Sequence, residues 1–268
     1  MLKAYSLLSY CILFLTLNKI AYADDIESLA KDSQNPVADL ISVPFQNNTN
    51  FELEPYNRIQ NVLNIQPVIP AHISSQWNII TRIILPVISQ PILPQPSGSI
   101  FGIGDLNPTF FLSPGKPGKL IWGIGPVFLF PTATKPLLGQ GKYSAGPSAV
   151  LLTMPGHWVI GVLANNTWSF SGQANRENVN QFYMQYFINY NLPKGWFLTS
   201  APIITADWTA EPDDQWVLPF GAGFGRVFKV GIQPLNVSLS GYYNVCHPTI
   251  GPEWQLRTQV SFLFPEKK

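Results

Sequence analysis

Histidine, cysteine and inward-turned arginine are the residue types in this chain that could do chemistry, and for most of them the spacing argues against it. Cys246 and His247 stand side by side and are both metal-ligand types, but a closed site needs further ligands nearby. His72 and His157 read as residues of two other turns. No metal site and no cofactor are therefore expected. Nucleophilic catalysis needs a histidine beside a nucleophile, with a polar group to orient it. His72 and His157 fall in short turns and His247 in a loop, so no catalytic residue is expected and the chain reads as a non-enzyme. Gly221-Ala222-Gly223-Phe224-Gly225 and Gly102-Ile103-Gly104 look like phosphate-binding loops, which require a strand before them and a helix after. Here the glycines alternate with Leu218, Phe220 and Phe224 on a strand, and they read as small inward residues. A formal charge of +1 gives no electrostatic case for nucleic acid.

What remains are polar residues inside strands. Arg82 and Arg257 lie near the middle of their strands and parity turns both inward, while Asp105 faces inward nearer one rim. With Asn64, Gln66, Gln185, Asn189, Gln255 and Gln259 they would make a polar interior. An arginine turned outward to lipid at mid-depth would cost about 2 to 4 kcal/mol, so energy and parity agree. Two readings stay open: a hydrogen-bond network that fills the interior, or a pore lining that selects solutes. Arg226 has outward parity beside a turn, where its long stem can snorkel.

The elements that would hold these residues are strands. Charged residues are 12% of the chain, against about 25% in ordinary soluble proteins. Aromatics are 13%, and there are 20 glycines and 25 prolines. Few charges without long apolar runs suggest strands facing lipid. In the last segment Trp254, Leu256, Thr258, Val260, Phe262 and Phe264 alternate with Gln255, Arg257, Gln259, Ser261 and Leu263. The same period of two appears at 235–245 and 181–191, and it marks a strand with two unlike faces. Applied throughout, it predicts strands near 38–46, 61–70, 77–87, 104–113, 119–131, 143–153, 157–169, 181–191, 195–207, 215–228, 234–245 and 252–264.

Connections near 71–76, 114–118, 154–156, 192–194 and 229–233 are short, with turn chemistry such as Ser113-Pro114-Gly115. Those near 47–60, 88–103, 132–142, 170–180, 208–214 and 246–251 are mostly longer and more polar. Alternating short and long connections, and an even strand count, predict an all-β, antiparallel up-and-down transmembrane β-barrel of about twelve strands, within a range of ten to fourteen. On these strands Trp77, Trp122, Trp158 and Trp196 fall near the short-turn end, and Trp168, Trp208, Trp216 and Trp254 near the long-loop end. All point outward by parity, as two membrane-interface belts do. Pro67, Pro108, Pro126, Pro147, Pro202 and Pro219 sit inside strands, where bulges or kinks are expected.

Before the barrel, residues 1–23 read as a cleaved signal peptide: a basic start at Lys3, an apolar stretch from Leu7 to Leu17, and Ala21-Tyr22-Ala23 as the cleavage signal. Cys11 leaves with it, so Cys246 has no partner for an internal disulfide. Residues 24–37 form a separate segment, helical from Asp24 toward Asn35 with Ile26, Leu29 and Ala30 on one side, and act as a periplasmic tail or a plug. The barrel takes 38–268. Export and a lipid-facing barrel place the protein in the outer membrane of a Gram-negative bacterium, with outer-membrane lipids and the barrel assembly machinery as its partners.

The run Gln34-Asn35-Pro36-Val37-Ala38-Asp39-Leu40-Ile41-Ser42-Val43-Pro44-Phe45-Gln46-Asn47-Asn48, with Gln60 to Pro70, Gly102-Ile103-Gly104-Asp105, Gly123-Ile124-Gly125-Pro126 and the closing Phe262-Leu263-Phe264-Pro265, resembles a bacterial outer-membrane family. That family carries the label neuromedin U, a misnomer with no hormone behind it. The resemblance covers most of the mature chain and implies an outer-membrane barrel similar to transporters associated with phenol-degradation operons. It implies no catalytic residue and no particular substrate. The expected function is a passive pore for an unidentified small solute, constricted around Arg82 and Arg257. The alternatives are a structural or adhesive barrel acting through its external loops, and an outer-membrane enzyme.

Overall fold

The computed structural model describes residues 26–265, so the expected leader at 1–23 lies outside the described residues. Among the described residues a short helix, α1 (residues 26–33), precedes twelve antiparallel strands, three of which are interrupted. They are β1 (Ile41–Leu53), β2 (Arg58–Ile65 and Val68–His72), β3 (Trp77–Pro91) and β4 (Ser99–Ile103 and Asn107–Pro114). β5 (Leu120–Leu129), β6 (Lys142–Thr153), β7 (Trp158–Gly172) and β8 (Asn180–Asn191) follow. The last are β9 (Trp196–Ser200 and Ile203–Asp207), β10 (Trp216–Val230), β11 (Gln233–Cys246) and β12 (Trp254–Phe264). Each strand pairs with its neighbours in sequence, and β1 pairs with β12 from Ile41 opposite Phe264 to Phe51 opposite Trp254. The sheet is therefore a closed barrel with no free edge.

The outer wall is apolar at mid-height, with exposed Ile124, Leu151, Ile188, Leu198, Phe224, Leu239 and Val260. The buried side chains lie on the opposite parity and face inward, as a strand period of two requires. β1 runs to Leu53, not to residue 46 as its sequence pattern suggests. Gln46, Asn48 and Asn50 are buried inward residues of that strand, and their polarity makes a lumen wall look like a loop. β3 likewise extends to Pro91 and β4 begins at Ser99, shortening the expected 88–103 connection.

The strand prolines act in different ways. Gln66-Pro67 and Ala201-Pro202 interrupt β2 and β9 without changing the register on either side. β4 carries a one-residue bulge over Gly104–Leu106, just before Pro108. Pro219 sits at a register shift in β10. Pro126 and Pro147, by contrast, stand opposite each other in an unbroken stretch of β5–β6 pairing, where no bulge forms. The interruption of β9 is the widest: Leu218 to Ala222 of β10 have no ladder partner across from Ser200 to Ile204. Across that stretch Ser200 Oγ donates to the Gly221 carbonyl at 2.7 Å and links β9 to β10.

Candidate functional site

The lumen is built in three levels, beginning at the short-turn end. There the chain from α1 to Leu40 turns back inside the barrel. Ile26, Leu29 and Ala30 share one helix face, and with Ala38 and Leu40 they pack on Phe197, Val227 and Leu263 of the wall. Val37 enters a second apolar cluster with Ile80, Phe111, Ile121, Val150, Leu152, Val159, Leu163 and Phe187. Polar bonds fix the position of this wedge. Gln34 and Asn191 exchange side-chain amide hydrogen bonds of 3.0 and 3.1 Å, Asn236 Nδ2 donates to Ser33 Oγ at 3.0 Å, and Lys31 Nζ donates to the Gly156 carbonyl at 2.5 Å. His72 lies 3.4 Å from Asp39 at the same end. Gly195, with φ +75°, makes the seat: a Cβ there would fall 2.2 Å from the Val227 carbonyl oxygen and 2.7 Å from Ile26.

The middle level is polar. Arg257 is only 5% exposed and faces inward from β12. Its Nε donates to Asn48 Oδ1 (2.9 Å), its Nη2 to Gln255 Oε1 (3.0 Å) and its Nη1 to the Ala201 carbonyl (2.7 Å) at the break in β9. The guanidinium also lies 4.8 Å from the centre of the Tyr242 ring. Gln185 Nε2 donates to the same Ala201 carbonyl at 3.2 Å. Gln255 continues the network to Asn50, and Asn50 to Gln60. Gln259 bonds Ser261, Asn189 is buried, and Asn64 stands opposite Gln46. Arg82 Nη2 donates to Gln66 Oε1 (2.8 Å) beside the break in β2. Arg82 and Arg257 do not share one constriction: Arg82 lines a cavity toward the long loops, and Arg257 lines a second one below it.

The upper cavity has a volume of about 490 Å³ and is lined by Arg82, Asn107, Thr167, Gln181 and Tyr183 among others. The connection 130–141 is held beside it by Asp105, and Gln140 Nε2 donates to Gln181 of its lining. One carboxylate oxygen accepts the Ala133 N–H (3.1 Å) and the other accepts the Gln140 N–H (2.7 Å). Arg176, from the loop after β7, donates to the Gly139 and Gln140 carbonyls and ties the two loops together. Asp105, expected to line the lumen, lines the upper cavity and also spends both oxygens as a loop anchor.

No family model matches the chain, and a search of curated proteins finds no match. Among solved structures it is similar to the COG4313 outer membrane channel from Pseudomonas putida F1, at TM-score 0.63 and 15% identity over 84% of this chain and 94% of that one. It is also similar to the NanC porin, at TM-score 0.54 and 6% identity over 84% of this chain and all of that one. The chain has the fold of an outer-membrane β-barrel.

Its tryptophans lie on the outer face of that barrel. Trp158, Trp196, Trp168, Trp208 and Trp254 are exposed, and Trp77, Trp122 and Trp216 half-buried. Trp77 meets Trp122 edge to face at 5.9 Å between ring centres, and Trp208 meets Trp216 at 5.2 Å. Trp208 lies one residue past β9, with its indole N–H on Asn166 Oδ1. Arg226 places its guanidinium 5.2 Å from the Trp196 ring centre, beside the short turn.

The sequence pattern does not single out Gln46, Asn48 or Asn50 as lumen residues, whereas Asn236 and Tyr242 already share the inward parity of the predicted strand 234–245. The signal that could have found the first three is their shared parity with the inward face of the predicted first strand. The pattern also implies a polar interior throughout, whereas the wall near the short turns of β3 to β8 is apolar. The reason is the wedge, whose own apolar side chains need an apolar wall. Among the described residues no group of three or more His, Cys, Asp and Glu could hold a metal ion.

Proposed function

We propose that the chain is a passive outer-membrane channel for small solutes, closed at its short-turn end by residues 26–40 in this conformation. The observation that carries this reading is the stacking of two lumen cavities along β8. Gln181 and Tyr183 face the upper one, Gln185, Phe187 and Asn189 face the lower one, and the lower one ends on Ser33, Gln34 and Pro36 of the wedge. A solute entering between the long loops meets walls of mixed polar and apolar side chains until it reaches that segment, so passage needs the segment to shift. On this reading the protein acts as a channel without catalysis, its leader is removed on export, lipids surround the apolar wall, and the assembly machinery inserts the barrel.

The wedge also favours a second reading, in which the barrel stays shut and works through its external loops. Swelling of liposomes that contain the refolded protein separates the two. The channel reading predicts faster entry of small solutes than into empty liposomes. A folded, inserted barrel that admits none of them would contradict it.

A further inference from the structure

The lower cavity has a one-sided chemistry. Its lining includes Arg257 but no aspartate or glutamate, and no carboxylate among the described residues lies within ion-pair distance of that guanidinium. Its hydrogen-bond acceptors are all neutral and take three of its five N–H groups. Two N–H remain, one on Nη1 and one on Nη2, to donate to a further acceptor such as a carboxylate. A buried charge left unpaired is costly, and an anion placed against it relieves that cost.

The surrounding groups are arranged for a ligand. Asn189 and Ser240 are buried on the same cavity and make no side-chain hydrogen bond within the described residues. Asn236, 4% exposed, donates to Ser33, yet its Oδ1 accepts nothing. Phe187, Phe197 and Tyr242 supply apolar wall. The volume is about 150 Å³, roughly that of a protein cavity known to admit a benzene ring.

We infer that this cavity is a binding site for a small organic acid, with the carboxylate on Arg257 and an apolar body of about one ring against Phe187 and Phe197. The unpaired Asn236 Oδ1 would accept from a hydroxyl or amine on such a ligand. The inference deepens the channel reading and rests on it for access, since the ligand enters from the upper cavity past Tyr183 and Gln185.

The test is isothermal titration of the full-length folded protein with sodium benzoate, with benzamide as the neutral analogue and chloride as the simple anion. Saturable benzoate binding is expected, at least tenfold tighter than benzamide or chloride. Arg257→Gln should weaken it at least tenfold, and Arg257→Lys less. Should Arg257→Gln fail to fold, Asn189→Asp adds a negative charge to the same cavity and leaves the Arg257–Ala201 bond untouched. It too should weaken benzoate at least tenfold. No saturable binding, equal binding of benzoate and benzamide, or full affinity in Asn189→Asp would overturn the inference. Single-channel current in potassium chloride keeps the two readings apart: a conducting barrel that ignores benzoate defeats the site and leaves the channel.

Discussion

Arg257 on β12 donates from Nη1 to the carbonyl oxygen of Ala201 on β9, 2.7 Å away, passing over β10 and β11 to do so. The bond explains how a closed barrel holds a proline inside a strand. Pro202 brings no N–H, pairing with β10 lapses beside it, and the freed carbonyl is satisfied from the lumen by Arg257 and Gln185. Buried carbonyls are rarely left unpaired, so the break and the inward arginine belong together.

Because the register is the same on both sides of the break, Pro202→Ala restores the missing donor without forcing a shift. Slower amide exchange across 200–204 and 218–222 is expected by mass spectrometry. Unchanged exchange there would mean that the lapse in pairing has another cause, Pro219 being the nearest.

Asp105→Asn leaves one acceptor and turns an amide NH₂ toward a backbone N–H. Loop 130–141 should loosen by about 1 to 3 kcal/mol, the usual cost of an unmade buried bond. Faster exchange confined to 131–141, with the barrel's melting unchanged, is the expected outcome.

Asp214 joins two external loops, its carboxylate accepting from the Thr249 N–H (2.7 Å) and hydroxyl (2.9 Å). These bonds favour the ionised form and hold its pKa below the ordinary aspartate value. A depressed folded-state pKa gives stabilisation that is present above the unfolded value and lost as pH falls through the folded one. The tether should therefore stay intact at neutral and mildly acidic pH and release only below the ordinary carboxylate range. Asp214→Asn should abolish that acid step in loop exchange without changing neutral-pH folding.

Gly195→Ala tests the seat of the wedge. A side chain at φ +75° is strained, and its Cβ would strike the Val227 carbonyl and Ile26. A loss of about 1 to 3 kcal/mol is expected, seen as a lower unfolding temperature together with protease access to residues 26–37.

Much of this architecture is written in alternation. The inward assignment of Gln255, Arg257 and Gln259 and the outward one of Trp254 and Val260 follow from parity alone, because a slip of one residue would turn each face over. Asn47, Asn48, Thr49 and Asn50 were not legible as strand, since a short polar run has the composition of a turn. Asp105 was legible as inward but not as a loop anchor, because its partners Ala133 and Gln140 lie about thirty residues away in a connection with no pattern of its own. The apolar interior around Phe111 and Leu163 was hidden for a related reason: it exists to meet Val37, a contact between distant parts of the chain.

The central claim is that residues 26–40 close a lumen that would otherwise conduct. Planar-bilayer recording of the full-length protein beside a form lacking residues 26–37 tests it most directly. The account predicts small or intermittent current from the full-length barrel and a larger, steadier current from the truncated one, both folded by heat-modified gel mobility. Equal currents from the two, or none from a folded truncated barrel, would contradict it.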